Sequence, residues 1–405
     1  MTSRPPGPDS RGPLVGFRVL DVSGRTGACC TKILADLGAD VVKVELPTGD
    51  RLRSVPPYRD GATGPEASLV FAYYHHNKRG ITLDWERSDA EPLLGELASS
   101  ADVVVASPRG ERERLVGFVA DAPALSWAPP GVLTCFVTPF GLTGPYREWR
   151  ATPFTSFAAG GSMYPVGPVE GPPVAMPGQQ LVDEAGVWAA FLVQSVLRSP
   201  RAARGQVIDQ SVHEVALFNK LVKDLYDVSG RIVTRATNFG PPPGGIWKCR
   251  DGWVDVGAHA PQHWDIFLDV VGRPGVLLDP VYRERKVRIE LFDVLTEIIA
   301  ELLATWDARR LVSEAQAAGL PCALMHTPGE FVRDPQARAR GYFVPTHREG
   351  TGDFEIPGPP FASSPTLVGY QRSAPTLGEA NEDVYVDELG HSPEELEKWR
   401  SDGFV

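Results

Sequence analysis

Short, continuous apolar runs alternate along the chain with longer stretches whose apolar residues recur at helical spacing. Residues 15–22 (VGFRVLDV) are an apolar run closed by Ser23 and Gly24, 31–37 carry helix formers, and 40–46 (DVVKVEL) are apolar again. That order predicts strand, helix, strand, the repeat unit of a parallel sheet. A strand over 81–84, a helix over 89–99 and strands over 101–106 and 131–137 extend it to a doubly wound α/β domain. Residues 141–178 are rich in Pro and Gly and predict a loop with a short helix near 155–159. A helix over 181–197, a strand over 206–211 and a helix over 212–228 follow. A second Pro/Gly knot at 240–245 (GPPPGG) precedes a hairpin over 246–258, then helices over 262–271, 286–303 and 307–318, and strands and turns over 350–365.

With 405 residues the chain is too long for one ordinary core. The expected organisation is a leader at 1–13, a large domain over 14–228, a linker over 229–245, a smaller α+β domain over 246–330, and a return to the large domain over 331–405. The leader lacks the apolar core of a secretory signal. Forty basic against 51 acidic residues give a net charge of −11, so the field that attracts nucleic acid is missing. No stretch reaches the ~18 apolar residues that span a bilayer. Five cysteines, odd in number and without a C-x-x-C pair, indicate neither a disulfide framework nor a zinc site, and the chain reads as cytoplasmic.

Several motifs are absent in the form their chemistry needs. The turn over 23–29 (SGRTGAC) has G-x-x-G and not G-x-G-x-x-G, so a nicotinamide cofactor is not indicated. There is no P-loop, no histidine pair at metal-binding spacing, and no serine elbow around Gly160-Gly161-Ser162. Asp183, in the segment LVDEAG where the flexible 164–179 stretch meets a long helix, stands out. Its commonest role there is an N-cap. The same place suits a carboxylate nucleophile whose reaction partner develops negative charge near the positive end of the helix dipole.

The chain resembles the class III CoA-transferase (CaiB/BaiF) family. The resemblance rests on ADLGADVVKVE (35–45), NKR (77–79), FGLTGPY (140–146), RGQVID (204–209), DP (279–280), GLPC (319–322), DPQAR (334–338) and APTLGE (374–379), in family order. It implies an interlocked homodimer acting on acyl-CoA and a free carboxylic acid, with CoA as a substrate, no tightly bound cofactor and no metal. It places Asp183 at the nucleophile that forms a mixed anhydride and then an aspartyl-CoA thioester. It also places Gly244 and Gly245 in a glycine-rich loop over the active site, and gives Arg25, Lys78, Arg79, Arg109 and Arg150 as ligands of the CoA phosphates.

The chain departs from the family pattern in two regions. The first turn, 24–30, is shortened, and the run Pro153-Phe154-Thr155-Ser156-Phe157 lacks the acid or amide of many transferases. The racemase branch uses a histidine and a glutamate where this chain carries Ala151 and Ala260, with His259 adjacent. Transfer of CoA is therefore the first expectation. Epimerisation of a 2-substituted acyl-CoA, or binding of acyl-CoA without turnover, are the alternatives. Phe154, Phe157, Met163 and Tyr164 are expected either in the core or along an apolar acyl pocket.

Overall fold

The computed structural model describes residues 12–59, 61–107, 117–119, 122–168, 170–199, 205–218, 230, 235, 240–258, 260–363 and 369–405. The chain divides into two compact units. One comprises Met1–Met163, Ala175–Asp227 and Ala339–Val405, the other Tyr164–Val174 and Val228–Arg338. The segment Tyr164–Val174 thus belongs with the second unit, although it lies inside the stretch expected as the large domain.

In the first unit, β1 (Arg18–Val22), α1 (Ala28–Asp36), β2 (Asp40–Glu45), α2 (Leu69–Tyr74), β3 (Arg79–Thr82), α3 (Glu91–Ser99) and β4 (Val103–Ala106) follow in order. A small antiparallel pair, β5 (Gly117–Val119) and β6 (Ala122–Ala124), leads to β7 (Leu133–Thr138). Then come α4 (Pro153–Ala159), α5 (Gln180–Arg198), β8 (Val207–Ser211) and α6 (Val212–Phe218). Six strands form one parallel sheet in the order β3-β2-β1-β4-β7-β8, as the apolar runs predict. Strand order reverses between β1 and β4, and in such sheets ligands bind beyond the carboxyl ends of the strands at that point.

Successive residues of each strand serve opposite faces, so both faces are buried. Val19, Val41, Val103, Val105, Cys135 and Val137 pack with residues of α1 and α5. Leu20, Val42, Val44, Val104 and Phe136 pack with α3 and with the C-terminal helix Pro393–Ser401.

The second unit has its own core under a three-stranded antiparallel sheet. Its elements are β9 (Gly245–Lys248), β10 (Trp253–Val256), α7 (His263–Val270), α8 (Arg285–Glu290), α9 (Phe292–Ala304), α10 (Ala308–Ala317) and β11 (Cys322–Leu324). The single helix expected over 286–303 is broken at Leu291, which ends α8 and caps α9. Apolar periodicity reports which face is buried, and it continues across such a break. Within the stretch expected as strands and turns over 350–365 lies β13 (Gly352–Pro357), which forms a hairpin in the first unit with β12 (Phe343–Arg348), a strand that precedes the expected range.

Candidate active site

The carboxyl end of β1 carries a buried charge cluster. Asp21 is fully buried and accepts hydrogen bonds from the Ser23 hydroxyl (2.6 Å), the Thr31 hydroxyl (2.7 Å) and the Lys78 ammonium (3.0 Å). Burial by itself would raise its pKa, but the cations of Lys78 and Lys43 outweigh it and hold the carboxyl at about 2. Lys78 also reaches the Thr31 hydroxyl at 2.7 Å and His75 Nδ1 at 3.1 Å. It is wholly enclosed and therefore not placed to meet a CoA phosphate, against the expectation.

Arg79 departs from its expected place for a second reason. As the first residue of β3 it lies at the amino edge of the sheet, opposite the edge that receives ligands. There its guanidinium pairs with Asp40 and Glu388, which also bind Arg18. Four alternating charges, drawn from the starts of β1, β2 and β3 and from near the C-terminus, thus tie the sheet together.

Above Asp21, α1 starts with Gly27 as its N-cap, and α5 lies close against it. Close approach is possible because α5 presents Ala185, Gly186, Ala189 and Ala190 to the core. A Cβ on Gly186 would stand 2.6 Å from Cys29 Cβ and 2.9 Å from the Cys30 backbone nitrogen. Only glycine permits this approach, and it fixes the height of the first turn of α5 on α1.

Asp183 lies in that first turn, one turn before Gly186. It is not the N-cap. Gln179 occupies the cap, without a side-chain capping bond, and the Asp183 N–H donates to its carbonyl at 2.9 Å. The half-buried Asp183 side chain is consequently available for other work. Tyr74 Oη, from the last residue of α2, donates to Asp183 Oδ1 at 2.8 Å, and among the described residues Oδ2 receives no bond. Burial raises the Asp183 pKa above the usual carboxylate range, while the Tyr74 hydrogen bond and the charge of Arg25 oppose the rise. Arg25 stands in the β1–α1 turn and donates through Nε to the Gln179 side chain. Asp183 and Arg25, 158 positions apart in sequence, thereby share one site, and Gln179 steadies both.

Tyr74 went unread in the sequence. It follows Ser68, whose hydroxyl caps the six-residue α2 by accepting from the Phe71 N–H, and it is only 8% exposed. Burial, reinforced by the Asp183 charge, pushes its phenol far above its ordinary pKa and keeps it a donor. A tyrosine 109 residues from its partner leaves no local pattern to find. Cys29 is the nearest thiol. Its pKa is pushed up to about 12, by burial first and by Asp183 second, which leaves it a poor nucleophile.

Arg150 is exposed in the connection between β7 and α4, and Arg109 lies outside the described residues. Ala151 follows Arg150 directly, and Thr152 caps α4 through a reciprocal pair with Thr155. In the second unit, Gly244 closes a turn by donating to the Pro241 carbonyl (3.1 Å), and Gly245, at φ +133°, opens β9. The Trp247 indole donates to the Pro243 carbonyl at 2.8 Å and pins the turn from within its own unit. Ala260 sits just before α7, and His259 lies outside the described residues. Phe157 packs beside Leu181 and Val182, whereas Phe154 is exposed. Met163 closes one segment of the first unit, and Tyr164 belongs to the second, its ring lying under the Arg235 guanidinium. Among the described residues no group of three or more His, Cys, Asp or Glu could hold a metal ion, and no helix is long and apolar enough to cross a membrane.

Comparison with known proteins matches residues 14–381 to the model of CoA-transferase family III. Formyl-CoA:oxalate CoA-transferase of Streptomyces avermitilis is 30% identical, over 97% of this chain and 99% of that protein. Succinate–glutarate CoA-transferase of Agrobacterium fabrum is 29% identical over 94% of this chain and 96% of its own. Among solved structures, Rv3272 from Mycobacterium tuberculosis superposes with a TM-score of 0.77 at 26% identity, over 93% of this chain and 99% of that one. A CaiB/BaiF family protein from Brucella suis gives 0.79 at 23% identity, with the same coverage, a likeness of fold. By sequence over nearly its whole length and by fold, the chain belongs to CoA-transferase family III.

Proposed function

We propose that the protein moves CoA from an acyl-CoA thioester to a free carboxylate, with Asp183 as a covalent relay. The observation that supports this reading is the state of the Asp183 carboxylate. It is half-buried, bound at Oδ1 by Tyr74, with Oδ2 open, and its basicity is raised by burial. A more basic carboxylate is a better nucleophile, provided it stays ionised.

In the first step Oδ2 attacks the acyl carbon and the C–S bond breaks, giving an acyl–aspartyl anhydride and CoA thiolate. The thiolate then attacks Asp183 Cγ, the Cγ–Oδ2 bond breaks, and the donor acid leaves with that oxygen. The acceptor carboxylate reverses the sequence and leaves as its CoA thioester. Over the full cycle one thioester is consumed and another is formed, so no external energy source is needed. Keeping the thiolate bound makes its return effectively unimolecular. Arg25, in the β1–α1 turn, and Arg150 are the cations proposed to meet CoA phosphates, with Arg109 beside them in sequence-based expectation. The compounds in the relatives' names, formyl-CoA with oxalate and succinate with glutarate, together with their CoA thioesters, are the first substrates to try. A homodimer belongs to the same proposal and is checked by sedimentation.

The test is intact-protein mass spectrometry, quenched in acid, after mixing with formyl-CoA, oxalyl-CoA, succinyl-CoA or glutaryl-CoA. Wild type should gain an acyl-sized or CoA-sized increment on the Asp183 peptide, and the Asp183→Ala variant should gain none. No increment in wild type across the panel, together with wash-in of deuterium at the α-carbon of a 2-methylacyl-CoA, would replace transfer by epimerisation.

A further inference from the structure

The Tyr74–Asp183 hydrogen bond has a direction and an address that the transfer reaction uses unequally. Two kinds of carbonyl are attacked in a full cycle. One is the carbonyl of the substrate acyl group. The other is that of Asp183 itself, at Cγ, once as the anhydride and once as the thioester. When Cγ is attacked, the oxygen that takes up the negative charge is Oδ1, because Oδ2 is the bridging oxygen of the anhydride. Oδ1 is the atom to which Tyr74 Oη already donates, at 2.8 Å.

We propose that Tyr74 is a catalytic residue, the oxyanion donor for the two steps that occur at Asp183 Cγ, and that it contributes little to the steps at the substrate carbonyl. This rests on Asp183 being the covalent relay. In the anhydride and in the thioester, Oδ1 is a neutral carbonyl oxygen. On attack by the CoA thiolate, the S–Cγ bond forms, the π electrons move onto Oδ1, and Tyr74 stabilises the resulting oxyanion. Collapse restores the C=O bond and breaks Cγ–Oδ2, releasing the donor acid. No proton changes hands, and the phenol remains a donor throughout. The bond is stronger in the transition state than in the state before it, which is the condition for catalysis and not merely for binding.

The surroundings prepare the phenol for this task. Tyr74 ends a helix that is capped at the other end by Ser68, and its ring packs beside Leu52, Phe71 and Ala374. His75 accounts for the next position by pairing with Lys78. The hydroxyl is thus held on an element separate from the one that carries Asp183, and it need not reorganise as charge develops. Cys29, a further titratable side chain near Asp183, is held as a neutral thiol and so adds no second negative charge beside the developing oxyanion.

The experiment compares wild type, Tyr74→Phe and Asp183→Ala by rapid acid quench with the panel member that labels wild type. Tyr74→Phe should still form the acyl-sized anhydride at close to the wild-type rate but pass slowly to the CoA-sized thioester, so the trapped species shifts from CoA-sized to acyl-sized. Steady-state kcat should fall ~10²-fold, the usual effect of losing one oxyanion donor, with KM for the acyl-CoA nearly unchanged. A CoA-sized adduct formed at the wild-type rate, or a loss carried by KM, overturns the assignment. Formation of the anhydride shows that the variant is folded. Should neither species form, 3-fluorotyrosine at position 74 decides, since it keeps the shape and hydroxyl while strengthening the donor. An unchanged rate of CoA-sized adduct formation then overturns the proposal. Absence of any adduct in wild type would instead overturn the covalent reading on which it depends.

Discussion

Replacing Gly186 by alanine tests the link between helix packing and chemistry. The added Cβ would be 2.6 Å from Cys29 Cβ, where carbon atoms normally stop at about 3.5–4.0 Å, so α1 and α5 must separate by about 1 Å at this point. Trimming Cys29 to alanine gives no relief, because its Cβ is the atom met, and the Cys30 backbone nitrogen at 2.9 Å resists as well. Overpacking of this kind costs about 1–3 kcal/mol, against which alanine regains about 1 kcal/mol of helix propensity. The expected net destabilisation is about 0–2 kcal/mol. The effect on activity should be larger. Asp183 rides on the same face of α5 one turn earlier, whereas Tyr74 is carried by α2, so the same displacement opens the 2.8 Å bond past hydrogen-bonding range. A 1 Å misplacement of a reacting group is worth ~10²-fold in rate. Urea denaturation followed by absorbance assay of CoA transfer would measure both quantities. A Gly186→Ala protein stabilised by about 1 kcal/mol and fully active would refute the argument, since propensity alone would then explain it.

Lys78→Met should act on stability and not on CoA affinity. It strands the buried Asp21 charge, which costs roughly 3–5 kcal/mol, and urea melts should show this while KM for acyl-CoA in the surviving folded protein stays level; the opposite pattern would restore Lys78 as a phosphate ligand. Arg25→Gln removes a charge that lowers the Asp183 pKa. Because the carboxylate must be ionised to attack, the acid limb of the kcat/KM profile should move to higher pH, and a limb that stays put or moves down would contradict the placement of Arg25.

Parallel strands were legible because burial on both faces writes them as unbroken apolar runs, as in DVVKVE and VVVA. Asp183 was legible as a residue of interest, from its place between a Pro/Gly stretch and a patterned helix and from the family motifs. The C-terminal helix went unread, although its start, Ser392-Pro393-Glu394-Glu395, carries the pattern of the capping box that the structure shows. Other features lay beyond sequence reasoning because they are contacts between distant segments. Lys78 and Arg79 are adjacent basic residues after an asparagine, and nothing local says that one turns into the sheet to meet Asp21 while the other joins Asp40 and Glu388 at the opposite edge. The choice between cap and free carboxylate at Asp183 was settled by where α5 begins, which its packing on α1 helps to fix. Periodicity records which side of each segment is buried, and so determines the elements and the sheet. The partner across the gap, Tyr74 for Asp183 above all, is decided only when the crossovers bring the strand ends together.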